Sequence, residues 1–144
     1  MTTPSLAGDW AYRFSGFTII DGTQCYLVGM GVLALSADGK ITGKQSATIT
    51  ALTGTDQKLL NRVMELSGTY SSEGVWGKAT LRFLKPGVED ERGTFDIIQV
   101  DADRFWMIST GAKQLDPNSI PDLSKASLAD EINSGEAVRI RSVS

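Results

Sequence analysis

A chain of 144 residues with a net charge of -3 is long enough for one domain, 1–144, with a core of its own, and lacks the basic balance that grips phosphate backbones. Zero histidines exclude Ser-His-Asp and Cys-His nucleophile activation and most zinc sites, and the lone Cys25 excludes an internal disulfide or a multi-cysteine metal centre. No apolar run reaches the roughly 18 to 20 residues of a membrane helix, and MTTPSLAG lacks a secretory pattern. The expectations are therefore a cytoplasmic protein with no cofactor, no metal, no nucleic acid and no membrane.

Fifteen glycines spread among Val-, Ile-, Thr- and aromatic-rich segments predict a sheet protein with many turns. Residues 9–17 predict the first strand, with Trp10, Tyr12 and Phe14 on one face and Ala11, Arg13 and Ser15 on the other. Residues 25–36 and 40–50 form a hairpin around Ala37-Asp38-Gly39. A two-residue turn at Asp38-Gly39 would place Leu33 and Leu35 on the lysine face. A type I turn with Gly39 as a left-handed bulge residue pairs Ser36 with Lys40 instead, and gathers Leu27, Leu33, Leu35, Ile41, Ala47 and Ile49 on one face. The second register is adopted, since a one-residue slip sends three leucines to water.

The text ALTGTDQKLLNR, 51–62, loses period-2 alternation and predicts a loop. Strands resume at 63–71, with Met64, Leu66, Gly68 and Tyr70 on one side, and at 74–84, with Val75, Ala79, Leu81 and Phe83 inward. Lys85-Pro86-Gly87 and the acidic run Glu89-Asp90-Glu91 predict a loop. Residues 92–100 and 104–110 follow as a hairpin about Asp101-Ala102-Asp103, residues 111–123 read as irregular, and 124–133 is the one helix candidate. A last strand, 137–143, closes the chain.

Short antiparallel strands with an unpaired edge at each end are best satisfied by closure. The predicted fold is all-β: an antiparallel up-and-down barrel of about eight strands with a short helix near the C-terminus. A flattened sandwich is the alternative, but inward glycines at 43, 68, 77 and 93 favour the barrel, whose strongly bent strands need room.

GDWAYRFSGF, SADGKITG, LSGTYSSEGVWGKATLRF, RGTFDI and GEAVRI together resemble small microbial proteins near the allene oxide cyclase-like barrels. Gly8-Asp9-Trp10 also resembles the Gly-X-Trp start of lipocalins. The resemblance implies a calycin-like barrel of about eight strands, plugged at one end by the tryptophan, that holds an apolar ligand or guides a cyclisation. It carries over no catalytic residue.

Candidate ligand-binding residues are the inward aromatics Phe83, Phe95 and Phe105 as walls, and Tyr12, Gln45, Tyr70, Gln99 and Ser109 as polar groups addressing a mostly apolar guest. Equally, such polar residues satisfy one another inside a filled barrel. On the outside, Trp76, Ile98, Trp106 and Ile108 form an apolar patch that a soluble monomer rarely leaves bare; the segment 113–133 or a homodimer would cover it. Three functions follow: a binder of a small apolar molecule, an enzyme of cyclase or isomerase type acting by orientation, and a non-catalytic interaction module.

Overall fold

The computed structural model describes residues 5–20, 23–51, 59–85, 88–110 and 131–141, and the backbone alone at 18–20, 23, 83–85, 88–92 and 131. The strands are β1 (Gly8–Ile20), β2 (Thr23–Leu35), β3 (Lys40–Ala51), β4 (Leu59–Glu73), β5 (Trp76–Lys85), β6 (Val88–Asp101), β7 (Arg104–Ser109) and β8 (Glu131–Arg139). Each runs antiparallel to the next, and β8 returns to pair with β1 from Trp10↔Arg139 to Thr18↔Glu131, closing the barrel. Closure leaves no edge strand, although the short β7 pairs only Phe95–Asp101 of β6 and Ser134–Val138 of β8.

The β2–β3 hairpin adopts the bulged register. Leu35 lies opposite Ile41, Ser36 N donates to Lys40 O at 2.9 Å, and Gly39, at φ 88°, donates to Ser36 O at 3.2 Å. Leu33 and Leu35 are buried as a result. The inward glycines also fall as expected: Gly43 opposite Leu33 and Leu66, Gly68 opposite Ile41 and Leu81, Gly77 opposite Ile97, and Gly93 opposite Leu81.

Three boundaries differ from the sequence expectation, for one reason. β3 runs on to Ala51, so its edge needs a partner, and Leu59–Arg62, expected as loop, supplies it through pairs such as Ile49↔Leu60. Val88–Glu91, expected as an acidic loop, is strand backbone, although the ladder shifts register between Phe83 and Lys85. β8 begins at Glu131 rather than Ala137 because the long β1 demands a partner as far as Thr18. The helix candidate therefore ends in strand at residues 131–133, and its residues 124–130 lie outside the described part, as does nearly all of the covering segment from 113. Val75, expected inward, is exposed in the Gly74–Val75 turn, where Gly74 takes φ 62°.

Candidate functional site

One end of the barrel is shut by packing. Trp10 is wholly buried, its indole Nε1 donates to Leu6 O at 2.8 Å, and Phe105 meets it edge-on with ring centroids 4.7 Å apart. Arg139, opposite Trp10 on β8, stacks its guanidinium 4.4 Å from the indole centroid. The same guanidinium donates to the carbonyls of Ala7, Ser5 and Ala102 and faces Asp103 at 3.4 Å, so one cation ties the entering chain to the last two strands. Attraction to the ring face adds to these bonds because the site is largely desolvated.

Halfway up, Tyr12 reaches across Gly31 to Gln45: the three share a row, and the Tyr12 hydroxyl donates to Gln45 Oε1 at 2.6 Å. The bond exists because Gly31 has no side chain; a Cβ there would stand 2.8 Å from the Tyr12 ring. Burial pushes the Tyr12 hydroxyl well above its ordinary value, so it stays protonated and donates.

Toward the other end the inner wall thins. Phe14 is flanked by Gly29 on β2 and Gly135 on β8, and the row continues to Ala47 and Arg62. Whereas Trp10, Leu35, Ile41 and Leu66 are sealed, the inward-facing Phe14, Ile49 and Met64 are only half-buried. Solvent therefore reaches part of these three side chains, while their inward neighbours Leu27 and Ala47 stay buried.

The expected ligand-binding residues are divided between these zones. Phe105 is part of the plug. Gln99, its cross-strand neighbour, is buried nearby, with its Nε2 making no hydrogen bond among the described residues. The Tyr70 hydroxyl donates to Ser36 O beside the β2–β3 turn, and burial, then Asp38, raises its pKa. Tyr12 and Gln45 bond each other at mid-height. Phe95 is buried in the core cluster opposite Ser109, whose Oγ accepts from Asn133 N at 2.9 Å. The Phe83 side chain lies outside the described set.

Arg62 and the glycines 29 and 135 escaped the sequence reading, which placed Phe14 inward without naming it as a site residue. The signal for Arg62 was its even spacing from Met64 and Leu66, hidden by taking 51–62 as loop. Among the described residues, no three His, Cys, Asp or Glu side chains are grouped to hold a metal.

The outer wall carries Trp76, Ile98 and Trp106 as successive cross-strand neighbours, with Ile108 beside them, all exposed. The same row continues through Glu136, Arg13 and Met30. Two adjoining shallow clefts of about 810 and about 670 Å³ lie along this saddle and share Arg13, Met30, Ser46 and Glu136. Trp106 and Ile108 line the first, Val32, Val63 and Val138 the second.

Fold and site together define an eight-stranded antiparallel up-and-down barrel, plugged at one end by Trp10 and less fully covered toward the other. The chain matches no protein-family profile, no curated protein and no solved structure.

Proposed function

We propose that this protein is a calycin-like carrier or sensor that holds a small apolar molecule in the hollow half of its barrel. The observation that carries this reading is the contrast between the sealed inward residues beside Trp10 and the half-buried Phe14, Ile49 and Met64 beyond Tyr12. The inward face is mostly apolar, with a few polar side chains such as Gln45, which is how small-molecule sites are usually built. Outward-facing Arg13, Lys44, Glu65, Lys78 and Arg82 on mid-strand positions suit a barrel surrounded by water, since a lipid-facing charge costs about 2 to 4 kcal/mol at the bilayer midplane. The single, buried Cys25 suits a reducing, cytoplasmic setting.

The test uses the uncharged fluorophore N-phenyl-1-naphthylamine. Wild type should bind it near 1:1, and Ala47→Leu, which fills the hollow, should weaken binding at least tenfold, while Trp106→Asp leaves it intact. Binding lost in Trp106→Asp and kept in Ala47→Leu would move the site to the outer clefts and refute the interior reading.

A second reading is favoured by the exposed row Trp76, Ile98, Trp106, with Ile108 beside it. We propose that it is the contact face of a homodimer, the commonest closed oligomer.

A further inference from the structure

The inner wall is mostly apolar, yet it carries one cation that no described residue pairs with. Arg62 faces inward, opposite the buried Ala47, two residues from Met64 and four from Leu66 on the same face. It is half-buried, and no hydrogen bond or ion pair of its guanidinium exists among the described residues. The only other charge among the described inward side chains is Arg139, which the plug fully employs.

A second donor lies beside it. Gln45 is opposite Met64, so Gln45 and Arg62 are diagonal neighbours across β3 and β4, within roughly 7 to 8 Å between backbones. Gln45 Oε1 is occupied by the Tyr12 hydroxyl, which turns the amide so that its Nε2 faces away, and that nitrogen makes no hydrogen bond among the described residues. Gly31 and the Tyr12 bond fix this orientation. The wall therefore carries two donor side chains as diagonal neighbours, neither of which has an acceptor for these groups among the described residues. A planar two-oxygen anion satisfies both, since guanidinium bonds to carboxylates are charge-assisted and directional.

We infer that the guest is an amphipathic carboxylate, its head held by Arg62 and Gln45 Nε2 and its hydrocarbon part lying along Phe14, Leu27 and Met64. This rests on the interior-binding reading and narrows it to a ligand class. A neutral hydrocarbon would leave both donors unpaired in a partly dry site, and the selectivity should be large for that reason.

Isothermal titration of the whole chain with dodecanoate and with dodecanol, equal in length and different in charge, tests it. Dodecanoate should bind at least tenfold more tightly than dodecanol. Arg62→Gln should remove that preference, and Arg62→Lys should restore part of it, with all variants keeping the wild-type melting temperature within a few degrees. Equal binding of the two probes, or a preference indifferent to Arg62→Gln, overturns the carboxylate assignment while N-phenyl-1-naphthylamine binding still upholds the apolar pocket. Failure of all three probes overturns both.

Discussion

Gly29→Ala sets a methyl group where the edge of the Phe14 ring now lies. The backbone at Gly29 is ordinary extended strand, so alanine adopts it without strain, and the loss of freedom in the unfolded chain favours the variant by about 0.4 to 1 kcal/mol. Against this, the new Cβ would stand 2.4 Å from Phe14 Cε1 and Cζ and 3.2 Å from Ser46 O. Overpacking of that kind costs about 1 to 3 kcal/mol, so the net destabilisation is on the order of 1 to 2 kcal/mol. For a domain of this size that lowers the melting temperature by roughly 3 to 8 °C. Phe14 is only half-buried and can be shortened: in Phe14→Leu/Gly29→Ala the loss should fall short of the sum of the single changes by about 0.5 kcal/mol or more. Gly68→Ala is the contrasting case, because its Cβ would meet Thr80 O at 2.0 Å and Leu81 Cα at 3.1 Å. Backbone cannot be trimmed away, so its cost should reach about 3 kcal/mol. Urea unfolding with unchanged m-values measures all four proteins. Strict additivity of the Phe14 and Gly29 changes, or a Gly68→Ala variant milder than Gly29→Ala, would refute the inner-wall packing described above.

Tyr12→Phe leaves Gln45 Oε1 buried without its donor and should cost about 1 to 3 kcal/mol in urea unfolding. It should also alter the alkaline limb: the Tyr12 hydroxyl is raised above its ordinary 10.0 in the folded chain, so the unfolded chain ionises first. Stability is thus complete below about pH 10 and declines above it, with a shallower decline in Tyr12→Phe than in wild type; identical slopes would deny Tyr12 that role. Arg139→Met removes the cation above Trp10 and the bonds to Ala7, Ser5 and Ala102, and should lower stability by about 2 to 4 kcal/mol, with faster exchange of the Trp10 indole proton. Trp106→Asp should convert a dimer to a folded monomer in light scattering; a wild-type monomer at high concentration would end the homodimer proposal.

Much of the architecture was legible because one register alone spared Leu27, Leu33 and Leu35 from water, and that register fixed the phase of β2 and β3 together. Trp10, Tyr12 and Phe14 gave the inward phase of β1 in the same manner. The cross-strand consequences were less visible. That Gly31 lets Tyr12 touch Gln45, or that Gly29 and Gly135 flank Phe14, depends on pairing distant segments, β1 with both β2 and β8, and no local period reports it. Tyr70 and Phe105 had the right inward phase, but phase does not give height, and height assigns them to the plugged end.

The boundaries missed have a common cause that bears on function. Alternation is a signal of burial against a packed core. In β4 the inward residues Leu66 and Met64 give way to Arg62 and the rim residue Leu60; in β8 Ala137 gives way to Gly135 and Asn133. At those positions the inward face ceases to be uniformly large and apolar, so the period disappears although the strand continues. The ladder is maintained there by the backbone needs of β1 and β3, not by side-chain burial. Both losses of pattern fall in the half of the barrel where Phe14 and Met64 are incompletely covered. A strand whose inward positions are freed from filling a core is free to carry glycine, asparagine or arginine for another purpose. That the sequence signal fails where the wall opens is what a ligand-holding half grafted on a packed half would produce.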